Sequence, residues 1–324
     1  MKLTKRTDAI RIGTVCVDPS TLSRGSLEVG RRMDGSALNL PLLVMNGAHK
    51  GPCLWIQGCL HGDEYSGSMA IFQFLSSIKP SDLHGSIVAL PVVNLLAWEQ
   101  KHRVSAIDYL DLNRVFPGEA GKTYTHELAW NLTRYITQCA DYALDLHGYR
   151  SGYFSLCYHH RNRASRIALE LCIASGAPFV AEVKEAWLDN ALFAVLTKKG
   201  VPSILIEAPG EGRIDDRNVR YYVHCLRNVA GYIGLIDSKI RRKERPKIAK
   251  SLIPIKAPSS GFVLLKTNRG EQIKKNQILA VILDAYGDEV GEVVCPVDKG
   301  WILNLDTHGI IHKGEVLLMI GEPS

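Results

Sequence analysis

The chain has 324 residues, 46% of them hydrophobic and 22% charged, with a net charge of +6. That balance describes an ordinary soluble globular protein, either one large domain or two unequal ones with ample core. No apolar run approaches the roughly 18 residues that cross a bilayer, and the mild basicity comes without the aromatic-basic pattern of a nucleic-acid binder. The first eleven residues are charged and polar, with no apolar stretch of a secretory signal. Eight cysteines are scattered through the chain, none in a CxxC pair and several inside apolar segments. They read as reduced thiols of a cytoplasmic protein and argue against a disulfide frame or a cysteine zinc site.

In chain order, residues 1–50 read as a leader with short strands, and residues 47–52 turn into a buried strand carrying Leu54, Trp55 and Ile56. A Gly-punctuated turn follows, then a helix over 65–77 with Met69, Phe72 and Leu75 at helical spacing. Residues 86–93 form a second buried strand, and 99–121 a long irregular segment. The spacing of Leu128, Leu132, Tyr135 and Ile136 predicts a helix over 125–139 with Thr125 as its N-cap. A third strand over 142–146 delivers His147 to its C-terminal end. Strands around 153–158, 179 and 203–207 then alternate with helices around 164–175, 191–199 and 216–236. Such alternation implies an α/β sheet covered on both faces.

Beyond residue 238 the composition changes. Lys239, Arg241, Arg242, Lys243, Arg245, Lys247 and Lys250 stand against a single Glu244, with Pro246 among them, so 239–251 reads as an exposed basic linker. Short strands and recurrent glycines make 252–324 a small all-β module, which leaves 1–238 as the main domain.

The chemistry is concentrated after the first buried strand. His61 and Glu64 stand three residues apart in Gly58-Cys59-Leu60-His61-Gly62-Asp63-Glu64. Open α/β sheets keep ligands at strand C-termini, and a divalent metal such as zinc accepts both an imidazole and a carboxylate. A catalytic zinc keeps three protein ligands and one open position, so a third donor must come from elsewhere. Asp145-Leu146-His147 offers it. Asp145 and His147 project to one side of their strand, which lets Asp145 orient a ligand histidine.

His61-Gly62-Asp63-Glu64, the run Asp111-Leu112-Asn113-Arg114-Val115-Phe116-Pro117-Gly118, and Asp145-Leu146-His147 together resemble the succinylglutamate desuccinylase/aspartoacylase family of the zinc carboxypeptidase superfamily. The motifs come in the family's order, and the resemblance spans most of the chain. It implies a carboxypeptidase-like mixed α/β sheet with helices on both faces, followed by a C-terminal barrel-like β domain. It also implies one zinc per chain, held by His61, Glu64 and His147, whose water is acidified toward a pKa of roughly 7.

The same resemblance gives Glu207, at the end of Ile204-Leu205-Ile206-Glu207, the role of moving the proton from water to the leaving amine. Ala208-Pro209-Gly210 departs from the usual Gly-Gly pair there, which keeps Glu211 as a competitor. Arg103 matches the arginine that faces the polarised carbonyl, while Asn113 and Arg114 match the pair that grips a substrate carboxylate. Asp111 reads as holding its loop. The C-terminal module resembles biotinyl and lipoyl carriers, but its turn at 284–288 has no lysine to modify. It is expected to cap or rim the pocket; a contact of Tyr286 with substrate is the less favoured reading of that turn.

The expected activity is hydrolysis of the amide of a small N-acyl amino acid or a related carboxylate. A peptide carboxypeptidase and a non-catalytic metal- or metabolite-binding protein are the alternatives. A homo-oligomer is left open, and neither nucleic acid nor membrane is expected as a partner.

Overall fold

The computed structural model describes residues 8–148, 156–160, 165–210, 212–238 and 244–323. Among the described residues eleven strands precede the β module: β1 (Ile10–Ile12), β2 (Val15–Val17), β3 (Thr21–Arg31), β4 (Ala37–Asn46), β5 (His49–Gly58), β6 (His84–Leu90), β7 (Tyr142–His147), β8 (Leu156–His160), β9 (Phe179–Val183), β10 (Ser203–Glu207) and β11 (Lys247–Ala249). The helices among them are α1 (Ser66–Ser76), α2 (Leu95–Glu99), α3 (Tyr124–Cys139), α4 (Arg166–Ser175), α5 (Leu192–Lys198) and α6 (Asp216–Tyr232). Strands β1 and β2 form a small antiparallel ribbon.

The other nine strands make one mixed sheet in the order β11-β9-β8-β10-β7-β5-β6-β4-β3. Its centre is parallel, β10 to β7 to β5 to β6, and antiparallel partners lie on both sides of that centre. Period-two alternation sends neighbouring side chains of one strand into different cores. Leu54 and Ile56 of β5 join Phe74 of α1, Leu171 of α4, and Tyr222 and Leu226 of α6 on one face. Trp55 between them joins Leu128, Leu132 and Ile136 of α3, with Leu196 of α5, on the other. The expected α/β sheet with helices on both faces is what the chain adopts.

Several local expectations change. Residues 21–46 supply two long strands of the main sheet, where short leader strands were expected. In α1 the buried face is Ala70, Ile71, Phe74 and Leu75, and Phe72 is exposed. Thr125 lies inside the first turn of α3 and is not its N-cap, which is Thr123. The backbone N–H and hydroxyl of Thr125 instead donate to Asp108 of the preceding loop, at 2.9 and 2.6 Å. Within 239–251, Lys247–Ala249 pairs in parallel with Phe179–Ala181 and extends the main sheet. The Lys247 ammonium lies over the rings of Phe179 and Trp301, so part of the basic stretch is packed there. Residues 239–243 of that stretch lie outside the described residues.

The β module contains β12 (Ser251–Lys256), β13 (Gly261–Leu265), β14 (Gln272–Lys274), β15 (Ile278–Leu283), β16 (Glu289–Val294), β17 (Lys299–Leu305), β18 (Ile310–Ile311) and β19 (Val316–Glu322). They form two four-stranded antiparallel sheets, β12-β19-β17-β14 and β16-β15-β13-β18. Leu279, Ile282, Val293, Ile302, Leu318 and Ile320 fill the space between them. A separate cluster docks the module on the main sheet. Leu252, Trp301, Leu303 and Met319 pack there with Phe179, Ala181, Phe193 and Leu205.

Candidate active site

Parallel pairing brings the C-terminal ends of β5, β7 and β10 together. Gly58 stands opposite Leu146, and His147 opposite Glu207. After β5 the chain turns sharply through Cys59, which takes φ 48°. Gly62 passes so close to α2 that a Cβ there would come within 2.1 Å of the Ala97 backbone. Only glycine permits that approach, which sets His61 and Glu64 under the same opening as His147. The Cys59 thiol is buried below the turn and lies 3.1 Å from Ser68 Oγ. Burial pushes that thiol up to about 12, so it is an inert packing group.

His61, Glu64 and His147 converge. One donor atom from each lies within 4.8 Å of the others, and all three side chains are buried. His61 Nδ1 is 2.8 Å from Glu64 Oε1, and His147 Nδ1 is 3.0 Å from Glu64 Oε2. Each imidazole is held from behind by a carboxylate: His61 Nε2 lies 3.1 Å from Asp111 Oδ1, and His147 Nε2 lies 2.9 Å from Asp145 Oδ2. Two nitrogens and a carboxylate facing one point, with the remote nitrogens occupied, is the donor set of a zinc-type cation. The residues present therefore fit a divalent metal.

The electrostatics agree with that arrangement. Burial alone would raise the Glu64 carboxyl, but the imidazoles of His61 and His147 outweigh it and hold the acid well below its usual range. Burial likewise opposes charge on His147, yet Asp145 and Glu64 raise it well above an ordinary histidine. Asp111 is also pulled far down against burial, by its hydrogen bond to His61 and by the charges of His61, Arg103 and Arg114. Arg103 spans two of these acids, Nη1 at 3.3 Å from Glu64 Oε1 and Nη2 at 3.1 Å from Asp111 Oδ2.

A pocket of about 70 Å³ opens onto this centre. His61, Glu64, His147, Arg103, Asn113, Arg114 and Glu207 all line it, so the expected metal ligands, proton carrier, carbonyl-facing arginine and carboxylate-binding pair reach one cavity. Glu211 lies outside the described residues. The Asn113 side chain accepts at Oδ1 from the Leu192 backbone N–H at 3.0 Å, which ties its loop to the start of α5. The Arg114 guanidinium lies 5.3 Å from the Trp187 ring centroid and donates to the Asn113 carbonyl at 3.0 Å.

Other residues had no legible signal. Tyr158, Trp187, Leu188, Phe193 and Leu205 make an apolar wall assembled from four separate elements. Asp111, read as a loop holder, also carries a histidine and an arginine, and the identity of its partners depends on the folded loop. Tyr286 does not approach the pocket. It stands exposed on the turn between β15 and β16, where Asp284 accepts its backbone N–H at 2.8 Å.

Residues 50–233, more than half of the chain, match the family model described as the succinylglutamate desuccinylase/aspartoacylase catalytic domain. The N-alpha-acetyl-L-2,4-diaminobutyric acid deacetylase of Halomonas elongata is 23% identical over 322 residues, covering 95% of this chain and 94% of its own length. Two solved structures share the fold. The product-bound ectoine utilization protein EutE (DoeB) of Ruegeria pomeroyi superposes with a TM-score of 0.86 at 23% identity, covering 98% of this chain and 100% of that one. A succinylglutamate desuccinylase/aspartoacylase from Rhodobacter sphaeroides gives 0.83 at 23% identity, covering 94% and 96%. With the family's catalytic-domain model running through the strands and turns that build this centre, the chain belongs to the succinylglutamate desuccinylase/aspartoacylase family.

Proposed function

We propose that the protein is a zinc-dependent deacylase that hydrolyses the amide of a small N-acyl amino acid. The carrying observation is the buried convergence of His61, Glu64 and His147 on one pocket shared with Glu207. His61, Glu64 and His147 would hold the metal, one per chain. When bound, zinc supplies Lewis acidity that acidifies water and polarises the scissile carbonyl.

Glu207 is the proton carrier in this reading. It ends β10 beside His147, is almost fully buried, and opens to the pocket. It takes the proton of the attacking water and returns it to the departing nitrogen. Arg103 is the fixed cation facing the carbonyl oxygen as negative charge develops there. Its two acidic partners hold the guanidinium in position before substrate arrives. Asn113 and Arg114 bind a substrate carboxylate, the guanidinium through its planar fork and the amide through Nδ2. Stacking on Trp187 limits the freedom of Arg114.

The apolar side chains beside the convergent donors suit a compact acyl group, and a small substrate is the reading preferred over a peptide. The Halomonas relative, by its name, acts on N-acetyl-diaminobutyrate, so N-acetyl amino acids are the first substrates to screen. The free cysteines among the described residues suit a reducing compartment, and we place the protein in the cytoplasm. No helix among the described residues is long and apolar enough to cross a membrane.

Glu207→Gln in the zinc-loaded protein tests the assignment. Turnover of N-acetyl amino acids should fall by about 10²–10⁴-fold, while the zinc content measured by atomic absorption stays at one per chain. Retained turnover removes Glu207 from the mechanism, and lost zinc would mean that it serves the metal instead.

A further inference from the structure

The buried support of His147 does not end at Asp145. Gln57 and Asp145 are register partners on the parallel strands β5 and β7 and share one face of the sheet. Gln57 Nε2 donates to Asp145 Oδ1 at 3.1 Å. Trp55, two residues back on that face, donates through Nε1 to Gln57 Oε1 at 3.0 Å. Trp55 and Gln57 are fully buried, and Asp145 and His147 nearly so.

The geometry points to Gln57 as a positioning residue that fixes the tautomer of His147 through Asp145. An indole N–H can only donate, so Trp55 forces the Gln57 oxygen toward itself and the amide nitrogen toward Asp145. A carboxylate oxygen accepts, so His147 donates its Nε2–H to Asp145 Oδ2 at 2.9 Å while Gln57 donates to Oδ1. The chain of donors therefore runs one way: Trp55 to Gln57 to Asp145, with His147 donating to the same acid from the other side. With Nε2 committed to Asp145, Nδ1 is the nitrogen turned toward the convergent donors, 3.0 Å from Glu64 Oε2, and it is the one that would face a cation. A neutral amide suits this place because a second buried carboxylate beside Asp145 would repel it. The Trp55 ring is packed among Val88, Leu128 and Leu196, which anchors the whole relay in the core. Gln57 thus acts on the centre through Asp145, from the same face of the sheet, and does not line the pocket.

This role rests on the metal reading given above, so the test begins with the wild-type protein. Zinc dissociation constants are measured by competition with a chromophoric chelator for wild type, Gln57→Leu and Gln57→Glu. Both variants should bind zinc about 10–100-fold more weakly. Nitrogen NMR of the zinc-loaded wild type should show His147 protonated at Nε2. Wild-type affinity in both variants overturns the role of Gln57 alone, as does a wild-type His147 protonated at Nδ1. Should neither variant fold, the wild-type tautomer decides. A wild-type protein that takes up no divalent cation overturns the metal reading, and the Gln57 role falls with it.

Discussion

Arg103 and Arg114 both line the pocket, but their neighbours give them different work. Arg103 is clamped between Glu64 and Asp111 beside the convergent donors, whereas Arg114 is stacked on an aromatic ring next to Asn113. A guanidinium that forks onto a carboxylate and stacks on indole has no equivalent in lysine. Arg114→Lys should therefore raise KM about tenfold or more with little change in kcat, an outcome steady-state kinetics on an N-acetyl amino acid would check. At this scale the sequence was informative where one residue type has few uses. His61, Glu64 and His147 were legible because imidazole and carboxylate at paired strand ends suggest a metal. Trp187 and Phe193 were not, since an aromatic residue in a short helix reads the same whether it faces a core or a cavity.

The start of α3 illustrates what pattern can and cannot reach at the scale of an element. Apolar spacing gave the helix and its buried face, but the residue that satisfies its first turn sits in a loop seventeen positions upstream. Asp108 accepts both the N–H and the hydroxyl of Thr125, so it caps from outside the helix. Burial pushes the Asp108 carboxyl up, and the hydrogen bonds from Thr125 outweigh it and hold the acid below its usual value. Its folded form is thus the more acidic. The stabilisation is complete above the unfolded value of about 3.9 and fades as pH falls through the lower folded one. Asp108→Asn should cost about 1 kcal/mol at pH 7, and the gap from wild type should narrow at pH 3. Urea unfolding of the metal-free proteins at both pH values measures it.

For the molecule as a whole, the β module matters through its contact with the pocket's outer wall. Phe193 and Leu205 line the pocket on one side and belong to the same cluster as Trp301, Leu303 and Met319. Trp301 meets Phe179 edge to face at 5.7 Å between centroids. The module therefore buttresses the apolar wall from behind, and no side chain of its exposed turn, Tyr286 included, lines that pocket. Trp301→Ala should destabilise the protein by about 3 kcal/mol and also raise KM by loosening Leu205. Thermal unfolding and kinetics on one preparation separate these effects. An unchanged KM would confine the module to stability.

The amino-acid order by itself determined the alternation of strands and helices, the imidazoles and carboxylate that converge at the candidate metal site, and the change of architecture near residue 250. Each is written locally, in apolar period, in side-chain chemistry or in glycine and charge content. Only the tertiary structure decided that residues 21–46 belong to the main sheet, that Lys247–Ala249 closes its far edge, and that Gln57 stands behind Asp145. These depend on which strands become neighbours. Pairing joins residues dozens of positions apart, through backbone groups that every residue carries alike, and leaves no mark on the spacing of any one segment.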